Sequence, residues 1–165
     1  MMNKNKIGLL SLGVIALLVS ADQLIKYFVD LFLKPVSVKM IIPGFIQLHY
    51  FENDGAMMGM MSGKTELMTL ASIVCMVGIV VVLLSGKIKF GFDYVCLVFM
   101  AAGGLGNIID RVFRGYVIDY IEVLFVDFYI FNFADCLVTC SAFLIIFYEF
   151  HSVYREYKAK KEKKV

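Results

Sequence analysis

The sequence predicts a mainly α membrane protein: four transmembrane helices with a small extracytoplasmic β-sheet and a short interfacial helix. Three observations lead there. Of 165 residues, 61% are hydrophobic, at a mean hydropathy of +0.82 and with only 2 prolines, more apolar surface than a water-soluble domain of this size needs. Four stretches, residues 7–29, 66–85, 94–112 and 130–150, are long enough to cross a bilayer core, which takes about 20 residues. The basic residues also fall on one side of a four-span layout. Lys4, Lys6, Lys87, Lys89, Arg155, Lys158, Lys160, Lys161, Lys163 and Lys164 make up 10 of the 16 lysines and arginines. By the positive-inside rule both termini are cytoplasmic and both long connections extracytoplasmic. The net charge of +2 is then a topology signal, and nothing in it points to nucleic acid. Residues 1–165 read as one integral membrane domain with a basic cytoplasmic tail, 151–165.

The first segment has the outline of a cleavable signal peptide, with Val19-Ser20-Ala21 as a small-residue cleavage site. Its apolar character resumes through Leu24, Ile25 and Tyr27 to Val29, however, and its removal would leave three spans, so it reads as an anchor. It carries Asp22 and Lys26, four apart and able to pair on one helix face. In the connection that follows, the turn signal Pro43-Gly44 precedes Phe45 to Phe51, rich in β-favouring residues. The second segment has no charge from Leu67 to Ser85 and reads as packing and lipid-facing surface.

In the third segment Gly103, Asn107, Asp110 and Arg114 form one stripe, and Ala102 with Gly106 makes a small-xxx-small pair that admits a neighbouring helix. Tyr116 to Ile121 reads as a strand after Gly115, and Glu122 to Tyr129 as the short interfacial helix. In the fourth segment Asn132, Asp135 and Thr139 share a face, with Asp135 five residues past its start. In the absence of tryptophan, Tyr27, Tyr94 and Tyr148 are the expected interface anchors. Cys75, Cys96, Cys136 and Cys140 all lie in spans and read as packing residues rather than disulfide partners. His49 and His151 lie far apart and no HExxH is present, so no metal is expected.

Helical rise, about 1.5 Å per residue, gives depth. Asp22 lies roughly 22 Å, Asn107 roughly 20 Å and Asp110 roughly 24 Å from the inner ends of their segments, and Asp135 roughly 8 Å below the outer surface. All four share the outer third of a core about 30 Å thick. A carboxylate inside an apolar span is disfavoured by ~2.5–3.5 kcal/mol, so such residues mark a site. Pattern alone leaves several readings open. Asn107, Thr139 and the Asp22–Lys26 pair suit helix packing, and Asp110 beside Arg111 suits an ion pair. The acids together suit a small proton- or cation-coupled transporter. Asp119 and Asp135, with no basic residue at helical pairing distance, suit a proton-sharing pair. Ser62 with Lys64, two apart on a loop, offers no oriented base for a serine–lysine peptidase.

Five phrases in order resemble a known family: Asp22-Gln23-Leu24-Ile25-Lys26, Asn53-Asp54-Gly55-Ala56, Gly103 to Arg111, Gly115 to Asp119, and Phe131 to Asp135. They are similar to the motifs of lipoprotein signal peptidase, or signal peptidase II. The chain departs from the pattern after Gly-Ala, where Met57-Met58 stand in place of small or aromatic residues. The resemblance implies an aspartyl endopeptidase that removes the signal peptide of a prolipoprotein just before a diacylglyceryl-modified cysteine. It implies Asp119 and Asp135 as catalytic dyad and Asn53, Gly55, Asn107, Asp110, Arg111, Asn132 and Ala134 as site residues. Asp22 with Lys26 would be a supporting pair. It further implies four helices, a β-cradle and a mobile short helix over the site, in a bacterial cytoplasmic membrane.

Such chemistry requires no metal or organic cofactor. Two close carboxylates hold one proton between them, one activating water while the other polarises the scissile carbonyl. The expected partners are prolipoproteins carrying a diacylglyceryl cysteine and the membrane lipids, with the chain a monomer. Gly103, Gly104 and Gly106 are expected to leave room for the signal peptide's apolar helix.

Overall fold

The computed structural model describes residues 3–55, 65–85 and 87–162, which include four helices apolar and long enough to span a membrane. Met57, Met58, Ser62 and Lys64 lie outside the described residues. Asn3 caps α1 (Lys4–Phe32), its side chain accepting from the Asn5 N–H at 3.3 Å. At 1.5 Å per residue α1 is roughly 43 Å long, more than the core requires. It runs alongside α3 (Phe92–Arg114) in the same direction, Ser11 meeting Tyr94 near one end and Gln23 meeting Gly106 further along. Between them in sequence, α2 (Thr65–Leu84) packs against α3 in the opposite sense, with Ser72 near Arg111 and Met76 near Gly104. α3 stops at Gly115, which takes the left-handed conformation (φ 83°) and returns its N–H to the Arg111 carbonyl.

The fourth helix, α4 (Phe133–Glu162), packs antiparallel on α3. Gly103 faces the Ala134 carbonyl, Leu137 and Val138, and Gly106 faces Ala134 and the Asp22 carboxylate. The expected room at Gly103 and Gly106 is therefore filled by helix contacts; these glycines let α1, α3 and α4 close together. α4 begins three residues later than the run of apolar residues suggested, because Phe131 bridges Ile121 as a strand partner. Asp135 thus lies in the first helical turn. At its other end α4 stays helical through most of the basic tail.

A three-stranded antiparallel sheet, β1 (Val38–Ile42), β2 (Ile46–Asn53) and β3 (Val117–Val123), sits at the end of the bundle where α1 and α3 finish. Pro43-Gly44 closes the β1–β2 hairpin, with Gly44 at φ 70° and the Phe45 N–H bonded to the Ile42 carbonyl at 3.0 Å. β1, in the stretch before that turn, is a strand beyond the two that the sequence predicts. Alternation along β3 decides what each face meets. Ile118 and Tyr120 turn towards Val29 and Leu33 at the end of α1, forming a small core that fixes the sheet to the bundle. Asp119 points the other way.

The short interfacial helix expected at Glu122 to Tyr129 is not formed. β3 continues to Val123, and the Leu124 N–H donates to the Phe45 carbonyl at 3.0 Å while Phe125 stacks on Phe45. Residues 124–127 then turn so that Phe131 can exchange hydrogen bonds with Ile121. Long-range strand partners outcompete a helix too short to carry its own nucleation.

Candidate active site

Asp119 and Asp135 come together around Asn132. The Asn132 side chain donates to Asp119 Oδ1 at 2.6 Å and its backbone N–H donates to Asp135 Oδ2 at 3.1 Å. In return the Asp135 N–H donates to Asn132 Oδ1 at 2.9 Å. This is a capping box: Asn132 is the N-cap of α4 and Asp135, three residues on, closes it. The local signal that starts the helix also holds one acid in place, with the helix N-terminus favouring negative charge there.

The remaining carboxylate oxygens are met by two more asparagines. Asn53 donates to Asp119 Oδ2 at 2.7 Å and Asn107 donates to Asp135 Oδ1 at 2.8 Å. All four oxygens therefore accept from neutral amide groups, and among the described residues neither acid forms an ion pair. Each amide has a defined sense. Asn53 Oδ1 is taken by the Gly55 N–H at 3.1 Å and Asn132 Oδ1 by the Asp135 N–H, so their NH2 groups must turn to the carboxylates. Asp119, in β3, is 1% exposed, and its carboxyl is pushed up to about 7. Burial is the main cause and the Asp135 charge the second; the bonds from Asn53 and Asn132 pull it partly back.

Behind the acids lies a buried charge cluster. Lys26, 0% exposed, contacts Asp22 at 2.9 Å and Asp110 at 2.8 Å and donates to Asn107 Oδ1 at 2.9 Å. Asp110 also meets Gln23, the Ile118 N–H and, at 3.5 Å, Arg114. Its ion-pair partners are thus Lys26 and Arg114 rather than the neighbouring Arg111. Removing one member of such a buried group strands its partner's charge, at a cost of about 3–5 kcal/mol.

A cleft of about 520 Å³ opens beside the acids. Asn53, Gly55, Asn107, Arg111, Asp119 and Asp135 form its polar end, and Met68, Cys75, Met76, Ile79, Met100 and Val138 its apolar length. Ala134, 0% exposed, belongs to the α3–α4 contact rather than to the lining. α2 supplies much of the apolar wall, and so does more than face lipid. The sequence does not mark this side, because α2 is apolar all round. Tyr129 and Gln23 were likewise missed; Gln23 sits within the Asp22–Lys26 phrase, while Tyr129 left no separable signal. Among the described residues there is no cluster of three or more metal-ligating side chains.

A pair of buried acids on an apolar cleft among four spanning helices narrows the comparison with known proteins. The family model described as signal peptidase (SPase) II matches residues 14–151. The chain belongs to the signal peptidase II family. Among its relatives, the lipoprotein signal peptidase of Lactobacillus johnsonii is 36% identical over 132 residues, 80% of this chain and 86% of the relative. That of Enterococcus faecalis is 35% identical over 133 residues, 81% and 83% of the two chains. A solved structure described as a bacterial membrane enzyme determined by the in meso method at 2.3 Å resolution superposes with a TM-score of 0.74. It is 32% identical, covering 87% of this chain and 88% of that one. A second, at 1.9 Å resolution, gives a TM-score of 0.69 at 33% identity over 83% and 90%. Signal peptidase II enzymes are aspartic peptidases, and this chain is accordingly a bacterial multi-pass membrane protein of that class. The transporter reading has no support among these relatives.

Proposed function

We propose that the chain is the endopeptidase that removes the signal peptide from diacylglyceryl-modified prolipoproteins, cutting before the lipidated cysteine, with Asp119 and Asp135 as its catalytic pair. The observation that carries this reading is the convergence of both acids on Asn132 at the polar end of an apolar cleft. Two buried acids in one site share a proton more readily than they ionise together. One carboxylate takes a proton from an attacking water while the other, protonated, donates to the scissile carbonyl; the proton then passes to the leaving amine. Nitrogen leaves, water's oxygen stays on the new carboxylate, and the pair returns to its starting charge.

The wider reading follows from position. The whole chain acts as one membrane peptidase domain and as a monomer, both termini cytoplasmic and the acids near the extracytoplasmic face. There the acyl chains of the substrate remain in lipid while the bond beside them reaches the acids. The apolar length of the cleft suits a signal peptide, and Arg111 at its polar end suits a substrate carbonyl. Purified Asp119→Asn and Asp135→Asn are expected to fold and to leave a diacylglyceryl precursor uncut, while wild type cuts it and spares the unmodified twin. Full processing by either variant sinks the dyad, and equal cutting of both precursors sinks the lipid dependence.

A further inference from the structure

Lys26 does not touch either proposed catalytic acid, yet it controls a group that does. Its ammonium has three hydrogens and three acceptors: Asp22 Oδ2 at 2.9 Å, Asp110 Oδ2 at 2.8 Å and Asn107 Oδ1 at 2.9 Å. An ammonium can only donate. The Asn107 amide oxygen is therefore obliged to face Lys26, and the NH2 group on the same amide is obliged to face Asp135, which it meets at 2.8 Å. The same Asn107 oxygen accepts from Asn132 Nδ2 at 3.2 Å, the nitrogen that also donates to Asp119. Turned over, the amide would aim an oxygen at the Asp135 carboxylate and an NH2 at the ammonium, opposing both neighbours at once.

We infer that Lys26 is a positioning residue that locks the Asn107 amide in the one sense that offers a donor to Asp135, and so helps keep that acid ready to accept a proton. The inference rests on the peptidase reading above and deepens it. A carboxylate that must take a proton from water needs a donor at its other oxygen; an acceptor there would favour the protonated form instead. The other two amides at the acids are oriented by backbone N–H groups, Gly55 for Asn53 and Asp135 for Asn132, which no side-chain change removes. Asn107 alone depends on a side chain. The cluster behind Lys26 holds that side chain in turn: Gln23 donates to Asp22, to Asp110 and to the Gly106 carbonyl, and Arg114 adds to Asp110. Asp135 is faced by Asp119 and Tyr120 from β3, Lys26 from α1, Arg111 from α3, and Tyr129 and Cys136 from its own stretch of chain; Cys75 of α2 lines the same cleft.

The test is the pH–rate profile of Lys26→Met, Asn107→Ala and the double variant on a diacylglyceryl precursor peptide in detergent micelles. Lys26→Met is expected to lower kcat on the order of 10- to 100-fold, with KM within about threefold of wild type, and to move the acid limb of kcat/KM up by about one pH unit. The double variant is expected to lose less than the product of the two single losses, since Lys26 then has nothing left to orient and acts on the acids through its charge alone. A merely structural Lys26 would lower the whole profile without moving its limb, and its loss would multiply with that of Asn107→Ala; either result overturns the inference. A measurement on unmodified protein covers the case in which Lys26→Met fails to accumulate. With asparagine amides labelled with 15N, the Asn107 side-chain NH2 resonances are expected to follow the titration of the acid pair, and unmoving resonances overturn the inference as surely. Failure of wild type to cut the precursor would instead count against the peptidase reading.

Discussion

Gly103 carries the closest approach of α3 to α4, and a single methyl group there tests whether the spacing matters to the chemistry. A Cβ at Gly103 would sit 2.9 Å from Val138 Cγ2 and 3.1 Å from Leu137 Cβ, and closer still to the Ala134 carbonyl oxygen. The last contact is with backbone at the start of a helix and cannot be relieved by a rotamer change. To restore ordinary contact, α3 and α4 must part by about 1 Å. Asn107 lies one turn from Gly103 on α3, and its 2.8 Å bond to Asp135 on α4 spans the same seam. Opened by about 1 Å, that bond leaves hydrogen-bond range. A displacement of this size at a positioned group costs on the order of 100-fold in rate, and overpacking of a close contact about 1–3 kcal/mol in stability. Gly103→Ala is therefore expected to lower kcat about 100-fold and to melt earlier in detergent. Gly13→Ala on α1, with nothing within 4 Å, is the control and is expected to match wild type in rate. Wild-type turnover by Gly103→Ala would refute the claim that the α3–α4 spacing sets the geometry of the acids.

Four further outcomes follow from named contacts. Because the folded protein holds the Asp119 proton up to about 7 against 3.8 for the free side chain, it binds more protons than the unfolded chain between those values. Stability therefore declines as pH rises through that window, and Asp119→Asn, which cannot ionise, is expected to lose that decline and to melt above wild type at pH 8. Peptidase activity is expected to fall as pH rises past about 7, where the acid pair gives up its shared proton; a flat rate from pH 6 to 9 counts against it. Asn53→Ala removes a donor that pulls the Asp119 carboxyl down, so the alkaline limb should move to higher pH while kcat/KM drops about 10-fold. In the cleft, a Cβ on Gly104 meets only the tip of Met76, at 2.8 Å, so Gly104→Ala should fold normally but raise KM, and Gly104→Ala/Met76→Ala should restore it.

Much of this architecture is legible in the chain because membranes impose simple rules. Spanning helices announce themselves by length, and Asp22, Asn107, Asp110 and Asp135, placed by helical rise, do meet at one level. The strands β2 and β3 follow their β-favouring runs. The misreadings have equally physical origins. β1 is an edge strand exposed along all five residues, so it carries no alternation between buried and open positions. Residues 122–129 have the composition of an interfacial helix, yet their backbone groups find partners at Phe45 and across the Ile121–Phe131 bridge, which no local pattern records. Asp110 stands next to Arg111 in sequence but pairs with Lys26, because adjacent helical residues point apart while α1 passes within reach. α2 hides its cleft-facing side in uniform apolarity.

The arrangement of charge explains why a lysine so near the acids does not touch them. An ammonium bonded directly to a carboxylate pair would favour the doubly ionised form and leave no proton for the pair to share. Neutral amides can supply every hydrogen bond the four oxygens need without adding charge, but a free amide has two faces and either can turn inward. The lysine resolves that ambiguity from one residue away. Its own charge is paired there with Asp22 and Asp110. Separating the source of orientation from the source of charge lets the acids be tightly held and still protonatable. The buried cluster at the ends of α1 and α3 is in this sense part of the chemistry, even though no substrate atom need ever reach it.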